Sequence, residues 1–312
     1  MPSIEYHIEE IASILKGEII QKKAKLSIIK DILIDSRRLI SPEQCIFFAL
    51  VGKRHDGHSY IEVLYKNGIR NCVISSITID VKQYKDANFI LVPNTLKALH
   101  ALTRAHRKKF DIPVIGITGS NGKTIIKEWL FQLLHRDKKI VRSPKSYNSQ
   151  VGVPLSVWQM QDGNELGIFE AGISEPNEMD NLQAIIQPSI GVFTNIGPAH
   201  EKKFISTHQK IGEKLKLFTK VDTLVYCLDH SEVQNIIIRS EILDNIKSFT
   251  WSRKQKADLE IADIARKSLS ETSITGTYKD ETATISIPFI DEADIENAIH
   301  CWAVMLLLGF SQ

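Results

Sequence analysis

The sequence predicts an α/β protein in which a small mixed α/β N-terminal domain precedes a larger domain with a mostly parallel sheet and a short antiparallel meander. Three observations predict this class. Short apolar runs alternate with segments of helical period over most of the chain. A glycine-rich turn joins one apolar run directly to a helix. From residue 259 onward, short segments alternate between polar and apolar residues, as in antiparallel hairpins.

The composition is that of an ordinary globular chain. It has 312 residues, of which 43% are hydrophobic and 24% are charged. That length suits two domains with full cores. The net charge of +2 argues neither for nor against nucleic acid, since no Lys/Arg block stands out as a binding surface; we expect no nucleic-acid partner. There is no apolar run of about 18 residues, hence no expected membrane span.

Cysteine usage indicates the compartment. The four cysteines are far apart and each lies in an apolar run: Cys45, Cys72, Cys227 and Cys301. This pattern predicts buried free thiols in a reducing cytoplasm.

The first predicted domain covers residues 1–93. Apolar periodicity predicts helices over 7–15 and 60–66, and strands over 28–34, 46–51, 71–75 and 89–93. The Val92-Pro93-Asn94 turn is taken as the boundary. An amphipathic helix over 95–109, at the start of the second domain, then leads into the phosphate-loop strand.

The second predicted domain covers residues 94–312. Its apolar runs, which suit buried parallel strands, are 112–117, 166–171, 190–195 and 223–228. The meander is predicted over 261–265, 273–278 and 282–289. A last helix over 295–308 ends at Gly309.

Residues 116–124 read Gly-Ile-Thr-Gly-Ser-Asn-Gly-Lys-Thr, between the strand 112–117 and a helix that runs to about residue 134. Glycines allow backbone N–H groups to approach phosphate oxygens, and a helix N-terminus favours anions. Lys123 would reach the terminal phosphates of a nucleotide, and Thr124 a magnesium ion.

This motif is a short form of the phosphate loop, Gly119-x-x-Gly122-Lys123-Thr124, because Ile117 stands where the longer form has glycine. The alternative is a polar loop, capped by Ser120 or Asn121, before an ordinary helix. The flanking strand and helix favour phosphate binding.

Ligands of α/β sheets bind at the carboxyl ends of the strands, so residues that directly follow strands are the next candidates. Glu170 ends one strand beside a glycine and suits magnesium, although a capping or surface glutamate is an equal reading. His200 follows the strand 190–195; considered alone, a loop histidine is the better reading. Asn148 could equally be a turn residue.

Lys214 lies on a helix predicted over 208–219, whose apolar stripe is Ile211, Leu215 and Phe218. Among the lysines of this segment, Lys214 lies closest to that stripe. A lysine directed inward either extends its ammonium back to water, which is the commoner case, or takes part in chemistry.

Together, these motifs resemble the Mur ligase family, the ATP-dependent ligases that build the peptide stem of bacterial peptidoglycan. The family signature Thr-Gly-x-Asn-Gly-Lys-Thr/Ser stands at residues 118–124. Within the family, the chain most resembles members that add D-alanyl-D-alanine to UDP-N-acetylmuramoyl-tripeptide. Those members carry Asn-x-x-x-Gly-x-Pro, here from Asn148 to Pro154, and Asn-Ile-Gly-x-Ala-His, here from Asn195 to His200. The Thr-Thr-Pro and Asp-His-Leu-Asp segments of members that add the third residue are absent.

The resemblance implies which ligand each motif residue binds. ATP would bind the loop, formed by Gly119, Ser120, Asn121, Gly122, Lys123 and Thr124, with Asn297 at the adenine. Two Mg²⁺ ions would be held by Thr124, Glu170, His200 and Lys214. Lys214 occupies the place of the family's carbamylated lysine, whose carbamate is an anionic ligand for the second Mg²⁺. Asn148 would contact phosphate or the metal region, and Lys123, Lys214, His200 and Asn148 would form the catalytic set.

The first domain also carries family motifs. Asp35-Ser36-Arg37, residues 47–52 and Asp56-Gly57-His58 resemble the UDP-sugar-binding domain of the ligases that act on the last two steps of stem synthesis. The resemblance implies that Ser36 and Arg37 bind the UDP-muramoyl moiety. Without the family resemblance, the Asp35-Ser36-Arg37 segment could equally be a salt-bridged turn.

The chain departs from the family in two ways. It reads His200-Glu201-Lys202 where the family usually has His-Leu-Glu, which leaves the role of Glu201 open. It also ends at Gln312, where the family continues into a third, Rossmann-like domain. We therefore expect a fragment that is inactive alone. The sequence gives no indication of an oligomer, and a monomer is expected.

Two other functions remain as alternatives. The chain could be another Mur-type ligase, such as one that adds the third residue, or a non-catalytic nucleotide-binding module. The complete predicted metal set favours an enzyme. A P-loop kinase or GTPase is disfavoured, because the first domain and the segment 195–200 would have no role there.

Overall fold

A computed structural model describes residues 4–24, 28–35, 41–52, 55–76, 79–197, 203–240 and 245–311. The chain divides into two compact units. Unit 1 comprises Met1–Asp111 and Val157–Gly163, and unit 2 comprises Ile112–Ser156 and Asn164–Gln312. The division at 111/112 differs from the boundary predicted at 93/94, because the helix that follows the turn packs Ala98, Leu99 and Leu102 into the core of unit 1.

Unit 1 is a mixed α/β unit. Its strands are β1 (Tyr6–His7), β2 (Glu18–Lys22), β3 (Ile28–Ile29), β4 (Asp31–Leu33), β5 (Cys45–Phe48), β6 (Asn71–Ile74) and β7 (Asn88–Leu91), and its helices are α1 (Ile8–Leu15), α2 (Ile61–Lys66) and α3 (Thr95–Arg107). The main sheet has the order β2-β7-β6-β5-β4, in which β2 is antiparallel to β7 and the other pairs are parallel. Strands β1 and β3 form a separate antiparallel pair.

Unit 2 is built on one long sheet. Its strands are β8 (Val114–Thr118), β9 (Ile140–Arg142), β10 (Leu166–Glu170), β11 (Ile190–Phe193), β12 (Thr223–Cys227), β13 (Lys247–Ser252), β14 (Leu259–Arg266), β15 (Thr272–Tyr278) and β16 (Glu281–Ile287). Its helices are α4 (Lys123–Leu134), α5 (Gly152–Val157), α6 (Met179–Ile186), α7 (Thr207–Leu215), α8 (Ser231–Arg239) and α9 (Glu292–Leu307).

The sheet of unit 2 has the order β16-β15-β14-β13-β12-β11-β8-β10-β9. Pairing is parallel from β9 to β14 and antiparallel from β14 to β16. The predicted fold class is therefore confirmed, including the mostly parallel sheet and the meander. Strands β1, β2, β9 and β13 and helices α5, α6 and α8 were not predicted. Strand β9 has three residues, too few to display a period, and β13 begins with two exposed residues.

Every residue of β8 and β10 is buried, as expected of central parallel strands covered on both faces. Helices α4 and α9 pack on the sheet through a core cluster that includes Leu130 and Trp302. The carboxyl ends of β8, β10 and β11 therefore lie side by side, and the candidate site forms there. Among the described residues, none of the helices is long and apolar enough to cross a membrane.

The predicted state of the cysteines is confirmed: all four are buried thiols outside any disulfide. Burial raises the pKa of the Cys45 thiol to about 11 and those of Cys72 and Cys227 to about 12. These thiols are therefore poor nucleophiles at neutral pH.

Candidate functional site

The glycine-rich loop joins β8 to α4 and requires two of its glycines. Gly119 has φ +146° and Gly122, the N-cap of α4, has φ +81°. A Cβ atom at Gly119 would lie 1.9 Å from Thr194 Oγ1, and one at Gly122 would lie 2.2 Å from Asn297 Oδ1. Side chains at these positions would be strained in the backbone and would clash with neighbours.

The residues after β11 fix the loop from one side. Thr194 Oγ1 donates a hydrogen bond to Asn121 O at 2.6 Å. Ser120 N donates to Asn195 O at 2.8 Å, and Asn121 N donates to Asn195 Oδ1 at 3.1 Å. Three hydrogen bonds from the residues after β11 therefore hold this side of the loop.

Two lysines meet at the loop although they are far apart in sequence. Lys123 Nζ donates to Gly119 O and to Ser120 O, both at 2.9 Å. Lys214 Nζ donates to the same Gly119 O at 3.0 Å. Lys214 is 2% exposed, so its predicted inward direction is confirmed. Lys210 is equally buried, which the helical spacing did not predict.

Hard oxygen ligands lie beside the loop. Thr124 Oγ1 donates to Glu170 Oε2 at 2.8 Å, and Glu170 is fully buried at the end of β10. Asn148 O accepts from Gly172 N at 2.8 Å, which places Asn148 next to the same strand end. A hydroxyl, a carboxylate and an amide are therefore gathered where Mg²⁺ could be held.

Lys127 is a buried charge that sequence reasoning missed. It is fully buried on α4, with Nζ 3.4 Å from Glu170 Oε1 and 3.1 Å from Glu128 Oε1. Nζ also donates to Ser143 O at 2.8 Å and to Lys145 O. The signal was available: Lys127 follows Ile126 on the helix, one turn after Lys123, but a lysine there also suits a solvated face.

Helix α9 approaches the loop from the other side. Asn297 is 2% exposed and lies against Gly122. The preceding residue, Glu296, accepts hydrogen bonds through Oε1 from His230 Nε2 at 3.0 Å and from Asn195 Nδ2 at 3.4 Å. Burial alone would raise the pKa of Glu296, but its contacts with His230 and Asn195 outweigh burial and hold the pKa below the ordinary value. Sequence reasoning missed Glu296 and His230 as well.

His300, one turn further along α9, is fully buried and neutral. Trp251 Nε1 donates to its Nδ1 at 3.2 Å, so the ring proton is on Nε2, which donates to Thr194 O at 3.2 Å. Burial lowers the pKa of His300 to about 4.

Three predicted site residues, Ser36, Arg37 and His200, lie outside the described residues, as does Glu201. Among the residues that the structure describes, no three His, Cys, Asp or Glu side chains form a metal-binding group. In unit 1, the predicted motif residue His58 donates through Nδ1 to Asp56 Oδ1 at 2.5 Å and accepts from Ser75 N at 2.9 Å.

The loop suits an anionic ligand. Ser120 Oγ is buried and has no hydrogen-bond partner within the described part of the chain. The first N–H groups of α4 have no acceptor inside the helix, and its dipole favours negative charge at this end. With Lys123 and Lys214 adjacent, these groups fit phosphate oxygens.

Comparison with known proteins places these features in one family. The model of the Mur ligase middle domain matches residues 117–305. The UDP-N-acetylmuramoyl-tripeptide–D-alanyl-D-alanine ligase of Bacillus subtilis is 28% identical over 311 residues, which cover 99% of this chain and 65% of that protein. The enzyme of the same name from Rickettsia prowazekii is 32% identical over 270 residues, covering 85% of this chain and 58% of that protein.

Solved structures share the fold. MurF from Acinetobacter baumannii superposes with a TM-score of 0.88 at 22% identity, covering 100% of this chain and 67% of that one. The MurF ligase from Thermotoga maritima in complex with ADP has a TM-score of 0.78 at 24% identity, covering 90% of this chain and 64% of that one. The chain spans about two thirds of the length of these relatives. Since the family model covers more than half of the sequence, the chain belongs to the Mur ligase family.

Proposed function

We propose that this chain is part of an ATP-dependent ligase that adds D-alanyl-D-alanine to UDP-N-acetylmuramoyl-tripeptide, in the synthesis of peptidoglycan precursors. The observation that carries the proposal is the meeting of Lys123, Lys214 and the Thr124–Glu170 pair at one phosphate loop. The names of the Bacillus and Rickettsia relatives support the choice of substrates. The relatives are longer, so the complete reaction is assigned to the polypeptide in which this chain occurs.

In the proposed reaction, the terminal carboxylate of the tripeptide attacks the γ-phosphorus of ATP and ADP leaves. The product is an acyl phosphate. The amine of D-alanyl-D-alanine then attacks the acyl carbon, loses a proton and displaces phosphate, which leaves an amide. No side-chain nucleophile is needed, and the buried thiols of the chain offer none.

The loop would align and neutralise the phosphates. Lys123 would turn from the carbonyls of Gly119 and Ser120 to the β- and γ-phosphate oxygens, and Ser120 Oγ would gain an acceptor. Asn297, against Gly122, would contact the adenine. The structure of the Thermotoga MurF with ADP supports nucleotide binding by this fold.

We propose two Mg²⁺ ions at this site. They would be held by Thr124, Glu170, His200 and Lys214 as a carbamate, with Asn148 beside them. When bound, they would neutralise the charge on the transferred phosphoryl group. The Thr124 hydroxyl and the Glu170 carboxylate, 2.8 Å apart, are hard oxygen ligands in a buried setting and fit this role.

We assign the UDP-muramoyl moiety to the N-terminal domain, with Ser36 and Arg37 as ligands, and ATP to the domain that follows. The buried free thiols support a cytoplasmic location.

Calorimetric titration of the chain with UDP-N-acetylmuramoyl-tripeptide and with the dipeptide form tests the substrate. We expect tighter binding of the tripeptide. Preference for the dipeptide would assign the chain to the ligase that adds the third residue. ADP titration in parallel tests the nucleotide site, and a chain that binds ADP but neither muramoyl substrate would support a nucleotide-binding module instead.

A further inference from the structure

The phosphate loop is held by a chain of hydrogen bonds that begins on α9. Ser120 N and Asn121 N, two N–H groups of the loop, donate to the backbone and side-chain oxygens of Asn195. Asn195 therefore determines where this part of the loop lies. Its own side chain is oriented by a second bond, from Nδ2 to Glu296 Oε1 at 3.4 Å.

Glu296 is itself fixed from the opposite side. His230, at the start of α8, lies 3.0 Å from the same oxygen, Oε1. Both side chains are half-buried, with 29% of His230 and 18% of Glu296 exposed. A carboxylate that accepts two hydrogen bonds in such a setting is restricted in position more than a free surface glutamate.

We propose that Glu296 is a positioning residue for nucleotide binding: through Asn195, it holds the phosphate loop in the conformation that receives the β- and γ-phosphates. His230 supports Glu296 from the start of α8. The inference rests on the proposed nucleotide site, and nothing in the family resemblance assigns a role to either residue.

Two variants distinguish a positioning role of Glu296 from a role of its negative charge. Glu296→Gln keeps an oxygen that can accept from Asn195 and His230, and removes a negative charge close to the phosphate site. Glu296→Ala removes the acceptor as well. If geometry matters, only the second variant should bind nucleotide poorly.

The test is ADP and AMP binding by calorimetry. For Glu296→Ala we expect the Kd for ADP to rise about tenfold or more and the Kd for AMP, which lacks the β-phosphate, to change by less than about twofold. For Glu296→Gln we expect a Kd for ADP within about threefold of wild type. An equal loss for both nucleotides would mean that Glu296 acts at the base, and an ADP affinity unchanged in Glu296→Ala would also overturn the inference.

Glu292→Ala is the matched control. Glu292 is on the same helix, about one turn earlier, and is also ion-paired, with Arg253, but it is 72% exposed and is bonded to Arg253 rather than to Asn195. We expect its ADP affinity to stay at the wild-type value. A loss equal to that of Glu296→Ala would point to a general effect of charge on α9 and would contradict the inference.

A double-mutant cycle tests the route through Asn195. In an Asn195→Ala background, Glu296→Ala should cause no further loss of ADP affinity, because the link is already broken. Additive losses would show that Glu296 acts by another route.

Should Glu296→Ala not fold, Glu296→Leu replaces it with the same expectation, since leucine keeps the bulk and cannot accept a hydrogen bond. If neither variant folds, Glu296 is required for folding rather than for positioning the loop, and the inference is overturned. If the wild-type chain does not bind ADP, the proposed nucleotide site itself is contradicted. Failure of the inference about Glu296 and failure of the proposed nucleotide site are therefore distinguishable.

Discussion

Gly119 O accepts hydrogen bonds from two ammonium groups, those of Lys123 and Lys214. Two like charges at one acceptor disfavour each other, and the arrangement improves if one becomes neutral or anionic. Conversion of Lys214 to a carbamate would replace this repulsion by attraction to Lys123 and would add a metal ligand. Because Lys214 is 2% exposed, a carbamate there would need the metal ions and Lys123 to compensate its charge.

Lys214→Ala should abolish ligation by the complete enzyme and leave the Kd for the UDP-muramoyl substrate unchanged, because that substrate is assigned to unit 1. Ligation and substrate binding are measured on the same preparation. Lys216→Ala is the control, since Lys216 lies two residues on and is paired with Glu213 and Asp180. Normal turnover by Lys214→Ala would exclude the carbamate.

Lys127→Met should destabilise the folded chain. The Lys127–Glu170 pair is fully buried, and removing one partner of such a pair leaves an uncompensated charge at a cost of about 3–5 kcal/mol. Adding Glu170→Gln removes that charge, so the double variant should recover part of the loss. Urea unfolding measures both.

Leu130→Ala provides the comparison for this prediction. Leu130 is on the same helix and equally buried, but it packs in the apolar core. Combined with Glu170→Gln, it should show additive losses. Additive losses for Lys127→Met as well would mean that the pair is not coupled.

At the scale of elements, α9 is tied to the rest of unit 2 through His300. This helix residue is bonded to Trp251 on β13 and to Thr194 O after β11, so one neutral imidazole links a helix to two strand ends. Since Thr194 also contacts the phosphate loop, the position of α9 and the conformation of the loop are connected.

The free energy of unfolding of the chain should decrease as the pH is lowered, partly because of His300. Its pKa is lowered from 6.5 to about 4, so between these values the unfolded state binds a proton that the folded state does not. This contribution is complete above pH 6.5, and about 2 kcal/mol of it is lost by pH 5. His300→Gln cannot titrate.

Urea unfolding at pH 7 and pH 5 checks this prediction. The difference between the two pH values should be about 2 kcal/mol smaller in His300→Gln than in wild type. His106, in unit 1, has a similarly lowered pKa and is unchanged in the variant, so it cancels in the comparison. Equal pH dependence in both proteins would contradict the neutral buried state of His300.

At the scale of the whole molecule, the units are not continuous in sequence. Residues 157–163 belong to unit 1 although they lie between helices and strands of unit 2. Trp158 stacks on Tyr6, with ring centroids 5.1 Å apart, and donates through Nε1 to Lys30 O at 2.8 Å. His106 bonds Tyr6 Oη at 2.8 Å and Met160 O at 3.0 Å. The core of unit 1 is therefore completed by a distant segment.

Trp158→Ala should destabilise unit 1 by about 3–5 kcal/mol, because it removes a large buried side chain and a hydrogen bond. Native-state hydrogen exchange should be faster in β5, β6 and β7, and unchanged in β8, β10 and β11. Trp129→Ala, which removes a half-buried tryptophan stacked on Phe289 in unit 2, should give the reverse pattern. Equal acceleration in both units by either variant would contradict the division.

Features that depend on neighbours in sequence could be inferred from the sequence alone. The phosphate loop and its flanking strand and helix, the inward face of Lys214 and the positions of most strands along the chain follow from local spacing, since period and turn chemistry act over a few residues. Glu170 was a candidate from its place at a strand end; the family resemblance added a role for Asn148 and the candidate Asn297.

The remaining features depend on residues that the fold brings together. The shared acceptor of Lys123 and Lys214, the burial of Lys127 against Glu170 and the link from His230 through Glu296 to the loop join segments that are 43 to 101 residues apart. A charged residue on a helix has the same sequence signature whether it faces water or a buried partner. Only packing of the helices on the sheet determines which of them is desolvated, and desolvation makes a charge costly unless it is paired.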